Sequence, residues 1–438
     1  MKFTSSRNST NNATPVTFSE AVLNCMPDDG GMYVPAYEEN LSPWILYMNS
    51  ETSFSSIAGS LTSALINDEF SPIICEAIAT KAFPYSPSIR KLDDHLFVLE
   101  LFTGPTGCYK DFGISYLAAC LDYICLMENR TATVLAVTNG ETGASIVQAF
   151  RGKKNLKAVL LYTKGTVRGF EDSDLIQNGG NIYPVEADGT EAECFDVVRS
   201  VYEDKAVVEK YGLTLANTVN IGRVLPLTFC YVYAFSRIKK QIAGDIYYAM
   251  DAGNYGNLTA GLYGWKFSLP VTGFITNCSE SLVTDQFDKC CVLDSVVPLL
   301  KRNSANPANP SNLERIEELF VTRPAVMKGM VFPAYVTETE KGEACKDCFK
   351  KYGYFLDEET ASAYAAAKKR KDIVLEDDGS VVLIARKHPS MSADNIKYWC
   401  GEKVAVPENI APLYVPKKAE KLIKPEKEEI LKILNSLQ

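Results

Sequence analysis

Between residues 96 and 203, apolar runs of strand length alternate with helical patterns, and this alternation restricts the chain to one kind of sheet. Strand patterns fall at 96–102, 133–137, 158–162 and 182–185. Helical spacing links Phe112, Tyr116, Leu117, Leu121 and Ile124, a second helix runs through Phe150, a helical stretch lies between 162 and 182, and a last one covers 191–203. Strands separated by helices at this interval predict a parallel α/β sheet with right-handed crossovers. Ligands in such sheets lie at the carboxyl ends of strands. The loops that follow strands are therefore the places to look for chemistry.

The first such loop belongs to LELFTGPTGCYKDFG, residues 99–113. The strand breaks at Gly104-Pro105-Thr106-Gly107, and Lys110 stands between Tyr109 and Asp111 where strand gives way to helix. A lysine partly desolvated there loses proton affinity and serves as a nucleophile or Schiff base; the bland alternative is a solvated surface lysine. The second loop, Thr138-Asn139-Gly140-Glu141-Thr142-Gly143, brings backbone N–H groups to a helix start, an anion site by geometry though a common pattern. Asn217, Thr218, Asn220 and Arg223 precede an apolar helix at 224–238, and two amides with a guanidinium suit a bidentate oxyanion as well as a helix cap with a surface arginine. A strand at 245–249 ends in Asp251-Ala252-Gly253-Asn254-Tyr255-Gly256-Asn257, whose small residues permit close approach of a phosphate to a helix N-terminus; an ordinary strand–helix turn reads the same way. The Pro- and Asn-rich run 304–312 has the composition of a surface loop able to close over a site.

Composition sets the outer limits. A length of 438 residues suffices for two or three domains, and a net charge of −9 argues against nucleic acid and anionic membranes as partners. No apolar run approaches the roughly 18 to 20 residues of a membrane span, and the N-terminus lacks the apolar core of a signal peptide. Thirteen cysteines scattered through core patterns, without a secretory signal, are expected to be reduced and buried in a cytoplasmic protein. Cys345 and Cys348 have half of a zinc spacing, but no second pair follows and only His95 and His388 are available, so no metal site is expected. The stretch 322–375 is expected to be a helical insert, with 361–371 a packing helix bearing a solvated basic face. Residues 425–437 are expected to form a docked amphipathic helix.

These motifs, in this order, resemble those of the threonine synthases, pyridoxal-phosphate enzymes of fold type II. The LFHGPT turn leading to FKDFG reads LFTGPTGCYKDFG here, and Lys110 matches the Schiff-base lysine. TFSEAVLNCMPDDGGMYVP, from Thr17 to Pro35, is similar to the family's N-terminus. The family's TSGDTG loop corresponds to Thr138–Gly143, its ANSINxxR segment to Asn217 through Arg223, its SGNFGN cradle to Ala252 through Asn257, and its PSNxxR segment to Pro310 through Arg315. The resemblance implies a tryptophan synthase β-like fold of two open α/β domains plus an N-terminal extension. Its expected boundaries are 1–90 for the extension, 91–220 for a smaller domain with the lysine, 221–415 for a larger one with the phosphate loop, and 416–438 for the C-terminal helix.

The implied cofactor is pyridoxal 5'-phosphate, held by Lys110, Glu141, Gly253, Asn254, Tyr255, Gly256, Asn257 and Arg386. The implied substrate is a phosphorylated amino acid, O-phospho-L-homoserine, converted with water to threonine and phosphate; Thr138, Asn139, Thr142, Asn217, Thr218, Asn220, Arg223 and Lys387 would bind it. A monomer or homodimer is expected. The chain departs from the family pattern at Thr103 (usually His), Asn139 (Ser), Glu141 (Asp), Arg386 (Thr) and Met391 (Lys). The resemblance implies that the family's Thr at the Arg386 position meets the pyridine nitrogen; a guanidinium there can only donate, and would favour an unprotonated ring. Arg386 pointing away, or binding an anion with Lys387, are the other options. The departures leave room for a related lyase or β-replacement enzyme acting on another amino acid, or a catalytically silent binding protein.

Overall fold

A computed structural model describes residues 1–8, 14–376, 378–419 and 421–438. Two sheets carry the fold. The larger has six strands in the order Val331–Ala334, Gly273–Asn277, Ile246–Met250, Ser380–Ala385, Leu96–Glu100, Ser88–Lys91, all parallel except the last pair. The smaller has five parallel strands in the order Lys421–Ile423, Ile182–Ala187, Leu156–Thr163, Ala132–Thr138, Leu213–Thr214. Every residue of Leu96–Glu100, Ile246–Met250 and Ser380–Ala385 is buried, as parallel strands covered on both faces must be. The long helices Lys110–Met127 and Ile221–Ile238 pack on one another and on the N-terminal helix Phe18–Asn24. Thr17 and Glu20 close a capping box at the start of that N-terminal helix, as the sequence Thr17-Phe18-Ser19-Glu20 invites.

The structure departs from the sequence expectations in three places. Between Leu156–Thr163 and Ile182–Ala187 only two short 3-10 turns occur, Asp172–Asp174 and Ile176–Asn178, instead of a helical stretch. Gly165, Gly169 and Gly179 take positive φ there, a backbone state that interrupts a right-handed helix. The region 322–375 is not wholly helical, because Val331–Ala334 forms the edge strand of the large sheet. The unit 91–220 does not share one sheet either. Leu96–Glu100, which leads to Lys110, pairs with Ser380–Ala385 and Ser88–Lys91 in the large sheet, and Lys421–Ile423 returns from the far end of the chain to complete the small one. Strand partners nearly 300 residues apart leave no local trace in sequence.

The C-terminal helix Lys427–Ser436 buries Ile430, Ile433 and Leu434, in keeping with its amphipathic pattern. Among the described residues no helix is long and apolar enough to cross a membrane, and no group of three or more His, Cys, Asp or Glu could hold a metal ion.

One buried side chain joins the N-terminal extension to the sheets. Arg315 is fully buried and donates Nε to the Tyr33 carbonyl (3.1 Å), Nη1 to Asn312 Oδ1 (2.6 Å) and to the Thr218 carbonyl, and Nη2 to the Val219 carbonyl (2.6 Å). Hydrogen bonds to a charged donor are worth more than neutral ones, and their loss leaves buried carbonyls unpaired. Arg315→Ala should therefore cost roughly 3 kcal/mol of stability, read as a lower thermal midpoint. Arg315→Lys, which keeps the charge but lacks the planar fork, should recover only part of the loss.

Candidate active site

Lys110 begins its helix directly after the turn at Gly104–Gly107. Thr106 shapes that turn by donating its backbone N–H (2.8 Å) and hydroxyl (2.7 Å) to the buried carboxylate of Asp111. Gly104 lies against the same carboxylate, where a Cβ would clash. The Lys110 amine so placed reaches Glu141 Oε2 at 3.1 Å.

That ion pair is the first of a series of alternating charges. Glu141 Oε1 lies 3.4 Å from Lys387 Nζ, and Lys387 lies 3.2 Å from Glu359 Oε1. Glu359 Oε2 is 2.6 Å from Arg386 Nη2, which is also 3.1 Å from Asp251 Oδ1. Burial works against the charge on Glu141, but Lys110 and Lys387 outweigh it and hold the carboxyl at about 2. Burial likewise opposes the charge on Lys110, yet the groups facing it raise its pKa above the ordinary lysine value. Cys108, the first of those groups, is itself pushed up to about 12 by burial and is a thiol at neutral pH, so Glu141 is the operative anion. Lowered proton affinity at Lys110, the expectation from sequence, is thus corrected by a paired carboxylate.

A cavity of about 240 Å³ adjoins this series. Lys110, Thr142, Asn217, Thr218, Arg223 and Asn254 line it, together with Pro307–Pro310 from the Pro- and Asn-rich loop. Arg223 is 2% exposed, its guanidinium lies 5.5 Å from the Tyr109 ring centre, and its Nη1 has no hydrogen-bond partner among the described residues. Arg386 stands 5.3 Å from the same ring. Gly113 makes room for Arg223, since a Cβ there would collide with Nη1. Thr218 Oγ1 accepts from Asn254 Nδ2 (3.0 Å) and Asn312 Nδ2 (2.8 Å), which ties three of the loops together.

Other candidates stand outside the cavity. Asn220 caps its helix, donating Nδ2 to the Val22 and Leu215 carbonyls and accepting from Gly222 N–H, so its amide is fully engaged in the fold. The Thr138 hydroxyl accepts from Gly140 and Gly143 N–H and shapes its own loop. Asn139 is exposed. Thr103 is also exposed and bonds the Ser86 carbonyl, while Met391 receives the Tyr414 hydroxyl at 3.8 Å. Arg386 does not point into solvent: its Nη2 is committed to Asp251 and Glu359. Glu359 and Asp251 escaped sequence reasoning as site residues. Asp251 opens a glycine loop and was visible in principle, whereas nothing local marks Glu359.

The loop after Ile246–Met250 fits a phosphate. Gly253 and Tyr255 adopt φ of +45° and +63°, and the loop ends at the N-terminus of the helix Gly256–Lys266. Tyr255 anchors it by a 2.6 Å hydrogen bond between its hydroxyl and Ser279. The Asn257 side chain is buried with neither amide atom partnered among the described residues, and Arg386 Nε is likewise unpartnered. An amine in a cleft, an anion cradle at a helix start and orphaned buried donors suit pyridoxal phosphate, whose aldehyde carbon Lys110 would hold and whose phosphate the Gly253–Asn257 loop would hold.

A family profile described as "Pyridoxal-phosphate dependent enzyme" matches residues 79–386. The chain belongs to that family, with the fold of its type II members and pyridoxal phosphate as cofactor. A second profile, "Threonine synthase N terminus", matches residues 2–83. The threonine synthase of Buchnera aphidicola subsp. Schizaphis graminum is 28% identical over 408 residues, covering 91% of this chain and 92% of that one. The threonine synthase of Escherichia coli K12 is 27% identical over 398 residues, covering 90% and 91%. Among solved structures, Escherichia coli threonine synthase superposes with a TM-score of 0.79 at 24% identity over all of both chains. Pyridoxal-phosphate-bound threonine synthase from Brucella melitensis gives 0.82 at 21% identity, covering 100% of this chain and 99% of that one.

The Glu141 pairing carries a pH signature. A carboxyl held at about 2 against an ordinary 4.5 stabilises the folded chain above about pH 4.5, and that contribution is lost as pH falls towards 2. Glu141→Gln should lower the thermal midpoint at pH 7, and the gap from the unsubstituted protein should narrow as the pH is lowered across that range.

Proposed function

We propose that the protein is a threonine synthase, converting O-phospho-L-homoserine and water to L-threonine and phosphate. The observation that carries this reading is Arg223, a buried guanidinium with an unpartnered Nη1 in the same cavity as Lys110. Burial works against the charge of this guanidinium, Asp111 answers it without a hydrogen bond, and a buried donor left unpartnered is costly unless a ligand meets it. A substrate phosphate does so, and a guanidinium binds it bidentately. The names of the relatives point to the same reaction.

Pyridoxal phosphate, when bound, supplies the electron sink that makes loss of a proton from the substrate Cα feasible. The Lys110 amine is the group placed to take that proton, and Glu141 stabilises the charge it then carries. Arg223, with Asn217 and Thr218 beside it in the cavity wall, holds the phosphate that leaves Cγ. The start of the helix Glu141–Phe150, where Thr142 faces the cavity, suits the substrate carboxylate. In the net reaction the Cγ–O bond to phosphate breaks, Cβ loses a proton and gains the hydroxyl of water, Cγ gains a proton, and the other proton of water leaves with the phosphate.

Holoenzyme given O-phospho-L-homoserine should release phosphate and threonine in equal amounts. Phosphate with a keto acid would instead identify a lyase that eliminates without hydration, and neither product would move the search to other amino acids. Arg223→Ala should lower kcat/KM by about 100-fold or more, the scale expected when a charge-assisted hydrogen bond to the transition state is removed, with the cofactor still bound. Gly113→Ala, which displaces the same guanidinium, should act in the same direction. Lys110→Ala should abolish turnover and the absorbance of covalently held cofactor together.

A further inference from the structure

Two cations follow one another at the end of the Ser380–Ala385 strand, and one carboxylate meets both. Glu359 lies 2.6 Å from Arg386 and 3.2 Å from Lys387. It stands in the first turn of the helix Glu358–Lys369, where the cap residue Asp357 accepts its backbone N–H at 3.1 Å, so a fixed helix start presents the side chain. Lys387 is therefore shared between Glu359 and Glu141, and Glu141 is shared between Lys387 and Lys110.

We propose that Glu359 is a positioning residue: by drawing Lys387 towards itself, it leaves more of the Glu141 charge for the amine of Lys110. The inference rests on Lys110 being the cofactor lysine in the reading above, and is independent of which amino acid is the substrate. The groups facing Lys110 are Cys108, Tyr109, Glu141 and Lys387. Those facing Glu359 are Arg386, Lys387, Glu141 and Asp357. Asp357 is turned to its own helix start, Oδ1 accepting from the Glu359 and Thr360 N–H groups and Oδ2 from the Thr360 hydroxyl, which leaves it a weak competitor for Lys387. Arg386 has Asp251 as a second partner and stays paired if Glu359 loses its charge. Among the described residues, Glu141 is the other carboxylate paired with Lys387. A neutral residue at 359 would then give Lys387 wholly to Glu141, and the positive charge on the Lys110 nitrogen would lose support. Removing Lys387 would do the opposite.

The test is an absorbance titration of holoenzyme without substrate, following the change in the cofactor band when the Lys110 nitrogen loses its proton. Glu359→Gln should move the midpoint down by about one pH unit and Lys387→Met should move it up by a similar amount. In the double variant the Glu359→Gln shift should vanish, leaving the midpoint of Lys387→Met alone. An unmoved midpoint in Glu359→Gln overturns the proposal, as does an equal shift with and without Lys387, which would make Glu359 act on Lys110 directly. If Glu359→Gln does not fold, Glu359→Asp retracts the carboxylate by one methylene and should shift the midpoint downward by less; no shift there also overturns it. No substrate is added, so failure to form threonine leaves this outcome untouched.

Discussion

Charges taken out of water must be matched, and the cleft of this protein depends on one matched series: Lys110, Glu141, Lys387, Glu359, Arg386 and Asp251. An uncompensated charge in such a place costs several kcal/mol, whereas an alternating series leaves each member with an opposite neighbour. Five of the six residues stand in loops or helix starts that follow the carboxyl ends of parallel strands. Lys110, Asp251, Arg386 and Lys387 follow strands of the large sheet, and Glu141 follows a strand of the small one. The series therefore spans the two sheets at the carboxyl ends of their strands, where the ligands of parallel sheets lie.

Two guanidiniums beside Tyr109 have opposite standing. Arg386 is neutralised by Asp251 and Glu359, while Arg223 Nη1 has no partner among the described residues. One wall of the cleft is thus balanced by direct ion pairs, while along the other Arg223 has Asp111 as a neighbouring charge but keeps an unpartnered donor, a difference that favours a ligand carrying its own anion. The loop bearing Pro307 and Pro310 completes the cavity. It is fastened by Asn312 to Thr218 and, through Arg315, to the N-terminal extension.

The departures from the threonine synthase pattern divide by location. Thr103 and Asn139 face outward, and Met391 is taken up by Tyr414, so none of them alters the cavity wall. Arg386 is different, because it introduces a buried cation. Asp251 and Glu359 supply the charges that make it tolerable, and Lys387 then shares Glu359. A change of that kind has physical sense as a set and not as a single residue.

Residues close together in sequence determined much of this protein. The strand-to-helix turn around Lys110, the two glycine loops, the segment from Asn217 to Arg223 and the C-terminal amphipathic helix are each specified by local periodicity, turn chemistry and capping, and so were legible in the chain itself. Tertiary structure alone decided which strands pair, because Leu96–Glu100 and Ser380–Ala385 lie nearly 300 residues apart and, buried on both faces, carry no alternation that marks a partner or a register. It also decided charge. Sequence placed Lys110 beside Asp111 and predicted lowered proton affinity, yet Glu141 from another loop supplies its counter-ion. Asn220 has the residue type of an anion ligand, but Val22 and Leu215 occupy its amide. Electrostatic pairing depends on distances that only the folded chain creates, which is why Glu359, 249 residues from Lys110 along the chain, could not be read as part of the site.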